Sequence, residues 1–200
     1  MRLILARHGE IPTNVARTLD TSPPGPGLNS VGLAQARRLS RDLRPEDIQQ
    51  VSSSAMTRAC QTASIVADAR GLSVVVRDGL HEISAGSLDL RSDEEAILAY
   101  REVTFAWATG DLGVVMPGSG TGHRVLARFD AAVELICWDG VDTALVVSHG
   151  AMIRTWVAAR AIGGGFIRER TLPNTAYVIL DGSMDGGWRM LAWDGLTTAD

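Results

Sequence analysis

The stretch LILARHGE, residues Leu3–Glu10, joins a short apolar run to a polar turn that contains an arginine, a histidine and a glycine. A second apolar run, Ala144–Val147, is followed by the polar turn Ser148–Gly150, in which a histidine again precedes a glycine. Such runs are typical of buried strands in parallel α/β sheets, whose ligands bind outside the carboxyl ends of the strands. We therefore expect both histidines at one end of one sheet, in an anion site with imidazole at its centre.

The composition excludes several kinds of function. The chain has 200 residues, of which 46% are hydrophobic and 21% charged, as expected for a globular domain with a sizeable core. Its formal net charge of −4 argues against a broad nucleic-acid surface, because neutralising phosphates requires an excess of basic residues. All 19 basic residues are arginine, which excludes P-loop, Schiff-base and general-base lysines. An anionic ligand must therefore be held by a few local arginines.

The cysteines and the first residues bear on the compartment. Cys60 and Cys137 lie in segments with helical patterns, and we expect both to be buried small apolar residues, which fits a reducing compartment. The first apolar run is too short for a signal peptide and meets Arg7 at once. No run approaches the roughly 18 apolar residues that a membrane span needs. We expect a cytoplasmic protein whose partners include neither a membrane nor a nucleic acid.

Strand and helix patterns alternate along the chain. The predicted strands are Arg2–Ala6, Val51–Ser53, Ser73–Arg77 and Thr143–Ser148, of which the first and the last are expected to be buried. The predicted helices are Ser30–Leu43, Ala55–Arg70, Ser92–Thr109, Val125–Trp138 and Met152–Ile162, the last interrupted by Gly163–Gly165. Alternation in Thr175–Leu180 and Trp188–Trp193, around turn residues, predicts a hairpin. The pattern predicts a three-layer α/β/α sandwich, in one domain over residues 1–200, with a mostly parallel central sheet and a C-terminal edge hairpin.

Two connections are rich in glycine or proline. Thr21–Gly27 has a composition that continues neither neighbouring element, and Asn29 or Ser30 is expected to cap the helix after it. Gly110–Gly122 is predicted to be a flexible connection of the kind that carries a lid.

The arginines and histidines at the strand ends suit phosphoryl transfer. That reaction needs cations around the equatorial oxygens and a nucleophile in line with the leaving group. An arginine fork gives two parallel charged hydrogen bonds to a phosphate; Arg7 lies beside His8, and Arg58 lies near the start of the helix after Ser52–Ser54. A neutral imidazole is a competent nucleophile when a partner on its other ring nitrogen fixes the tautomer. A carboxyl group in the cleft would supply the proton for the leaving oxygen.

Five different short sequence blocks follow one another along the chain. They are RHGE with Asn14 beyond it, Leu28–Ala36, Ser53–Ala63, Leu80–Gly86 and Ser148–Gly150. In this order, and over almost the whole chain, they resemble the histidine phosphatase superfamily in its first, phosphoglycerate-mutase-like branch. Five ordered blocks are far more specific than an isolated Arg-His-Gly.

The resemblance implies a role for each matching residue. His8 would be the phosphorylated nucleophile, and Glu82 the proton donor. The implied phosphate-binding residues are Arg7, Arg58 and His149, with Asn14 and Gly150 as further contacts. His149 is also counted as catalytic. The resemblance implies no cofactor. Because no pair of histidines or carboxylates has convincing metal spacing, we also expect a metal-independent reaction.

The chain departs from the family pattern at three places. Ile11 stands where the family usually has Thr or Ser, and Gly118–Thr121 replaces a Gly-Gly-Glu-Ser block without supplying a carboxylate. Ser87–Asp89 replaces an aromatic residue and a glycine. The departures fall mainly in a substrate-facing cap that we place at about residues 84–122. We expect substrate specificity to depend on this cap and on the loop after Gly163.

Several other residues are open to two interpretations. Asp78 and Asp89 flank Glu82 and are alternative proton donors. Phe105 and Trp107 either line a substrate pocket or belong to the core, which is the commoner place for aromatic residues of an amphipathic helix. Residues expected to be solvated rather than to bind a ligand are His81, His123, Arg168 and Arg170, although the two arginines would also suit a second anionic group.

These observations predict a phosphomonoesterase that hydrolyses a small soluble phosphate ester through a phosphohistidine on His8. A first alternative is a phosphoglycerate mutase, which passes the phosphoryl group to another hydroxyl; 200 residues leave little room for an insertion that shields the intermediate from water. A second alternative is a non-catalytic phospholigand-binding module that has kept the pocket. The sequence predicts neither a particular ester nor an oligomeric state.

Overall fold

The computed structural model describes residues 1–163, 167, 170–193 and 196–197. Its strands are β1 (Arg2–Arg7), β2 (Gln50–Ser53), β3 (Val74–Val76), β4 (Thr143–Ser148), β5 (Ala161–Ile162), β6 (Tyr177–Ser183), β7 (Gly187–Trp193) and β8 (Leu196–Thr197). Its helices are α1 (Pro12–Val15), α2 (Ser30–Asp42), α3 (Thr57–Asp68), α4 (Glu94–Ala108), α5 (Gly122–Trp138) and α6 (Gly150–Arg160), with a 3₁₀ turn at Gly86–Leu88.

All the strands join one sheet, in the order β3-β2-β4-β1-β6-β7-β5, with β8 also paired to β7. The pairs β3–β2, β2–β4 and β4–β1 are parallel, whereas β6 runs antiparallel to β1. The register of β1 and β4 sets Arg7 opposite Ser148, so the two polar turns leave the sheet side by side. The predicted α/β sandwich with a mostly parallel sheet is confirmed.

Helices cover both faces of the sheet because alternate residues of the central strands point to opposite sides. Leu3 and Leu5 of β1 belong to a core shared with α4, α5 and α6. Ile4 and Ala6 belong to a second core, which includes residues of α2 and α3. The runs Leu3–Ala6 and Ala144–Val147 are fully buried, as continuous apolar strands in a sheet covered on both faces must be.

The C-terminal part of the sheet is more extended than the sequence predicts. The hairpin β6–β7 is present, but β7 also pairs with β5 and β8, so the hairpin lies within the sheet. The helix predicted to reach Ile162 ends at Arg160, because Ala161 and Ile162 pair with β7 instead. Gly164 and Gly165 of the predicted interruption lie outside the described residues.

Other local predictions have mixed outcomes. Asn29 caps α2 by accepting a hydrogen bond from the backbone N–H of Gly32. It is one of the two residues, Asn29 and Ser30, that the sequence predicts as the cap. The prediction that Cys60 and Cys137 are buried was wrong in degree, since both are free and only half-buried. The connection Gly110–Gly122, which the sequence predicts to be flexible, contains an antiparallel β-bridge between Val115 and Thr121. No helix in the described part of the chain is long and apolar enough to span a membrane.

The start of α2 holds the turn after β1 in place. Asn29 donates from its side-chain amide to the Glu10 carboxylate, and the Gln35 side chain accepts from the Glu10 backbone N–H. Gly32 lies so close that a Cβ there would be 2.1 Å from the Glu10 carbonyl oxygen, and a Cβ on Gly9 would be 2.6 Å from the Gly32 oxygen. Glycine is required at both places because two backbones are in contact.

The substitution Gly32→Ala is therefore expected to lower the free energy of unfolding by about 2–3 kcal/mol, the usual cost of forcing an extra carbon into a packed site. Gly113→Ala is the matched control, because its nearest new contact lies 3.8 Å away; its effect should stay within about 0.5 kcal/mol. Urea unfolding of both variants measures the difference. Equal transition midpoints would contradict the close packing of α2 on this turn.

Candidate active site

His8 and His149 follow the ends of β1 and β4 and face each other. Their ring centroids are 5.1 Å apart, and the ring planes are inclined by 59°. Both side chains are buried, with 3% and 0% of their surface exposed. The parallel pairing of the two strands thus brings together two histidines that lie far apart in the chain, as the sequence predicts.

The His8 ring is held in one tautomer by its own neighbourhood. Its Nδ1 lies 2.7 Å from the backbone oxygen of Gly9. Because a carbonyl oxygen can only accept a hydrogen bond, Nδ1 carries a proton, and in the neutral ring Nε2 then carries the lone pair. Burial lowers the pKa of His8 well below its ordinary value, and the charges of Arg7 and Arg58 lower it further. The ring is therefore neutral at physiological pH, with Nε2 available as a nucleophile.

The His149 ring lies beside His8 and contacts Ser54. Its Nε2 lies 2.8 Å from the hydroxyl oxygen of Ser54, while its Nδ1 is buried with no hydrogen-bond partner among the described residues. Burial lowers the pKa of His149 well below the ordinary value, and the neighbouring His8 and Arg58 act in the same direction. When Ser54 donates to Nε2, the proton of the neutral ring sits on Nδ1, which can then donate to a bound anion.

Arg7 extends along the start of α6. Its Nη1 donates to the backbone oxygen of Leu172 at 2.7 Å, while its Nε is buried without a partner in the described part of the chain. A Cβ on Gly150 would lie 3.2 Å from both Cδ and Nε of Arg7. The glycine after His149 therefore lets the arginine side chain pass close to the helix backbone. Burial lowers the pKa of Arg7, and the charge of Arg58 lowers it further, whereas the charge of Glu82 raises it.

Arg58 reaches the site from the first turn of α3 and is only 2% exposed. Its Nη2 donates to the backbone oxygen of Asp20 at 2.8 Å, and its Nη1 lies 3.6 Å from the Asp20 carboxylate. The loop that contains Gly25 folds over this guanidinium, since a Cβ on Gly25 would be 2.4 Å from Nη1. Nη1 and Nε have no hydrogen-bond partner among the described residues.

These groups form a site that suits an oxyanion. Among the described residues, the buried nitrogens of this site that make no hydrogen bond are Arg7 Nε, Arg58 Nε and Nη1, and His149 Nδ1, although Arg58 Nη1 is also ion-paired with Asp20. A buried donor or charge without a partner costs several kcal/mol, so such groups occur together where a ligand completes them. Two guanidinium groups and one imidazole N–H are the donors that phosphate prefers.

Glu82 is the carboxylate that the resemblance implies as proton donor, and backbone N–H groups hold it in place. Its carboxylate accepts hydrogen bonds from the backbone N–H groups of Met152 and Ala151, in the first turn of α6, and from that of Ile83. Arg128 of α5 holds the segment that leads to Glu82, because its guanidinium donates to the backbone oxygens of residues 79, 81 and 82. Glu82 is thus fixed in place and lines a cavity together with His8, Arg7 and Arg58.

The two alternative carboxylates do not share this position. Asp78 is exposed at the surface. Asp89 accepts hydrogen bonds from the backbone and hydroxyl of Thr21 and from the hydroxyl of Ser22, so it fastens one loop to another. Burial raises the pKa of Asp89, but these hydrogen bonds outweigh it and leave the pKa below the ordinary value. Of the three carboxylates that the sequence suggests as proton donors, Glu82 is the one that lines this cavity.

The catalytic cavity has a volume of about 130 Å³. Asn14 lines it, and its side-chain oxygen accepts from the side chain of Asn174 and from the backbone of Ile11. Ile11 is itself 1% exposed, so the position where the family usually has a hydroxyl packs into the core here. Gly118–Thr121 lies further away, and its last three residues line a second cavity of about 430 Å³ that reaches Glu82.

Three further residues support or line the site, although the sequence analysis does not single them out as site residues. Thr62 accepts from the backbone of Gly9, and Asn174 donates to the backbone oxygen of His8. Tyr100 lines the cavity and donates to the Ile83 oxygen; burial, and then the charge of Glu82, raise its pKa well above the ordinary value. Only Thr62 lies inside a recognised sequence block. The others approach through turns or helices whose spacing does not point to the site.

The remaining candidates have separate outcomes. His81 was predicted to be solvated, which was wrong: it is half-buried, and burial, aided by the charge of Arg128, lowers its pKa to about 4. His123 is exposed, as is Arg170, while Arg168 lies outside the described residues. Trp107 is a core residue, and Phe105 stacks on Arg154 with its ring centre 3.9 Å from the guanidinium carbon.

The described residues contain no group of three or more His, Cys, Asp or Glu side chains able to hold a metal ion.

Comparison with known proteins identifies the family. The sequence profile of the histidine phosphatase superfamily (branch 1) matches residues 3–195. The chain belongs to this superfamily.

Individual relatives differ in what they are reported to be. The chain is 31% identical, over 95% of its length, to a PE-PGRS family protein of Mycobacterium tuberculosis, of which it spans only 36%. It is 30% identical to a probable phosphoglycerate mutase of Yersinia pestis, over 75% of this chain and 70% of that protein. A mycobacterial glucosyl-3-phosphoglycerate phosphatase, solved with VO3, has the same fold: the TM-score is 0.81 at 24% identity, covering 98% of this chain and 99% of that one.

The buried neutral histidines make the fold sensitive to acid. The folded protein keeps His8 and His149 neutral where the unfolded chain binds protons, near pH 6.5. The free energy of unfolding is therefore expected to fall as pH drops below about 6.5, by up to about 1.4 kcal/mol per pH unit for each ring.

Urea unfolding at pH 7.5 and pH 5.5, for the wild type and for His149→Gln, isolates the contribution of one ring. The variant should lose less stability over this interval, because it has one buried imidazole fewer. An identical loss in both proteins would show that His149 is not held neutral in the folded state.

Proposed function

We propose that this protein is a phosphomonoesterase that hydrolyses a small soluble phosphate ester through a phosphohistidine on His8. One observation carries the proposal: His8, whose Nδ1 is engaged by the Gly9 carbonyl, lines one cavity with Arg7, Arg58 and Glu82, and its ring centroid lies 5.1 Å from that of His149. A nucleophile and a set of anion donors around one position are what phosphoryl transfer requires of a protein.

In the first step, His8 Nε2 attacks phosphorus and forms a nitrogen–phosphorus bond while the bond from phosphorus to the ester oxygen breaks. Arg7, Arg58 and His149 hold the equatorial oxygens, where negative charge is concentrated. Glu82, in its protonated form, gives its proton to the leaving oxygen, so the alcohol departs neutral. Asn14 and the backbone of Gly150 are proposed as further phosphate contacts.

In the second step, water attacks the phosphohistidine. Glu82, now a carboxylate, accepts a proton from the water, and the nitrogen–phosphorus bond breaks to release inorganic phosphate and restore neutral His8. Because the two guanidinium groups already supply positive charge, we propose a reaction without a metal ion or other cofactor. We also propose a cytoplasmic enzyme, in one domain, with residues 84–122 as the cap over the substrate.

Phosphoglycerate mutase activity is a second candidate, which the 30% identity to a probable mutase of Yersinia pestis favours. The mutase would pass the same phosphoryl group to a hydroxyl instead of to water. Incubation with 3-phosphoglycerate and a bisphosphoglycerate primer separates the two reactions. A phosphatase releases inorganic phosphate without forming 2-phosphoglycerate. A mutase forms 2-phosphoglycerate with little release of inorganic phosphate.

Replacing the nucleophile is expected to remove catalysis. His8→Ala should lower kcat for p-nitrophenyl phosphate at least a thousandfold, because the proposed covalent intermediate forms on the His8 ring. Exposed His123 serves as the control, and His123→Ala should retain wild-type activity. Rapid acid-free quenching should trap a phosphoryl group on wild-type protein but not on His8→Ala. Full activity in His8→Ala rules out the covalent role, and phosphate binding without turnover in the wild type indicates a binding module.

Removing the proton donor is expected to affect poor leaving groups most. Glu82→Gln should lower kcat by a factor of about 10²–10⁴ for an alkyl phosphate such as glycerol 3-phosphate, whose alkoxide needs a proton. The loss should be much smaller for p-nitrophenyl phosphate, because nitrophenolate departs without one. Steady-state kinetics with both esters tests this, and equal losses would indicate that Glu82 acts only by holding the structure.

A further inference from the structure

The chain segment before β6, residues 172–176, lies against the end of β1. The backbone N–H of Arg7 donates to the oxygen of Ala176 at 3.0 Å, and the N–H of Thr175 donates to the oxygen of Arg7 at 3.1 Å. The oxygen of Leu172 accepts from the Arg7 guanidinium. A segment far away in the sequence therefore supports the turn that contains the nucleophile.

The 172–176 segment makes these contacts in a strained backbone conformation. The φ angle of Thr175 is +60°, in the left-handed region that a β-branched residue rarely occupies. Such residues persist where the surrounding structure determines them, and they are common at functional sites. The N–H of Thr175 also approaches the oxygen of His8 at 3.3 Å, and its hydroxyl donates to the backbone oxygen of Asn174. The strained turn thus brings Asn174 next to His8.

The contacts of Asn174 determine which end of its amide faces the site. Its side-chain nitrogen lies 3.0 Å from the backbone oxygen of His8 and 3.2 Å from the side-chain oxygen of Asn14. Because a backbone oxygen can only accept a hydrogen bond, Asn174 must present its NH₂ group to His8, and not its oxygen. One NH₂ group therefore donates both to the backbone of the nucleophile and to Asn14.

The same reasoning determines the orientation of Asn14. Its Oδ1 accepts from the backbone N–H of Ile11 at 3.3 Å and from Asn174. A backbone N–H can only donate, so Asn14 must present its oxygen to Ile11. These contacts use the oxygen and leave the NH₂ group for a ligand in the catalytic cavity, which Asn14 lines with His8 and Arg58. An amide rotated by 180° would present its oxygen to the anion instead.

We propose that Asn174 is a positioning residue, which orients Asn14 so that the Asn14 Nδ2 donates to an oxygen of the phosphoryl group. The inference rests on the proposed function, because it takes the anion in the catalytic cavity to be a phosphoryl group. Asn174 does not touch the reacting atoms and acts through Asn14. Since its NH₂ group also binds the His8 oxygen, Asn174 sets the phosphate contact relative to the nucleophile.

A substitution that keeps the shape of Asn14 separates a ligand contact from a structural role. Asn14→Asp retains oxygen acceptors for Ile11 and Asn174 but replaces the NH₂ group by a charged oxygen. Its affinity for inorganic phosphate, measured by calorimetric titration, should fall at least about tenfold, and further than that of Asn14→Ala, because two anions repel each other. Wild-type affinity in Asn14→Asp, or no phosphate binding by the wild type, would overturn the proposal.

A double-mutant cycle tests whether Asn174 acts through Asn14. Asn174→Ala alone should lower the phosphate affinity about three- to tenfold, because the Asn14 amide is then free to rotate. In the Asn14→Ala background the same substitution should change the affinity by less than about twofold. Asn174→Asp, which keeps the size of the side chain without its NH₂ group, provides a second cycle if Asn174→Ala does not fold. Equal losses in the two backgrounds would show general support of the site and overturn the proposal.

Gln49 offers a matched control for the change from amide to carboxylate. Its side-chain oxygen accepts from the backbone N–H groups of Asp142 and Thr143, at 2.7 and 3.4 Å. These residues lie at the start of β4, whereas the active site lies at its other end. Gln49→Glu should leave the phosphate affinity unchanged. A loss as large as that of Asn14→Asp would assign the effect to the added charge and contradict a contact of Asn14.

Failure of the proposed function gives a different result, because phosphate binding requires no turnover. A protein that releases no phosphate from any ester, yet shows coupling between Asn14 and Asn174, contradicts hydrolysis and supports the role of Asn174. Conversely, hydrolysis of p-nitrophenyl phosphate together with additive losses supports the phosphatase and overturns the role of Asn174.

Discussion

The candidate active site depends on keeping an uncharged imidazole beside two arginines. Arg7 and Arg58 lie close enough to His8 to lower its pKa, and burial lowers it more. Protonation of the ring would add another positive charge to a cluster with little access to water. The arrangement thus produces two properties at once: a lone pair on His8 Nε2, and unpartnered donors that an anion can satisfy.

Separate elements of the fold position the two histidine turns and Glu82. The register of β1 and β4 places the two histidine turns side by side, and contacts of Asn29, Gly32 and Gln35 hold the first turn. Glu82 is held differently, by N–H groups at the start of α6. The nucleophile and the proposed proton donor are therefore set by different elements, which leaves a cavity between them rather than a direct contact.

The sequence predicts the parts of the site that depend on strands and on local motifs. Apolar runs that end in Arg-His-Gly and Ser-His-Gly indicate where both rings lie, because parallel strands end at one edge. It does not predict that Ser54 contacts His149 or that Asp20 contacts Arg58, because those contacts form only when distant loops fold together. It also misses β5 and its pairing with β7, since two residues are too few to show a strand pattern.

The central claim is that Arg7, Arg58 and His149 surround one tetrahedral oxyanion attacked by His8. A crystal structure of the protein with vanadate tests it most directly, because vanadate adopts the geometry of a phosphoryl group in transfer. The account predicts vanadium bonded to His8 Nε2, with its oxygens contacting Arg7 Nε, the Arg58 guanidinium and His149 Nδ1. Vanadium bonded to His149, or bound away from both rings while His8 remains free, would contradict it.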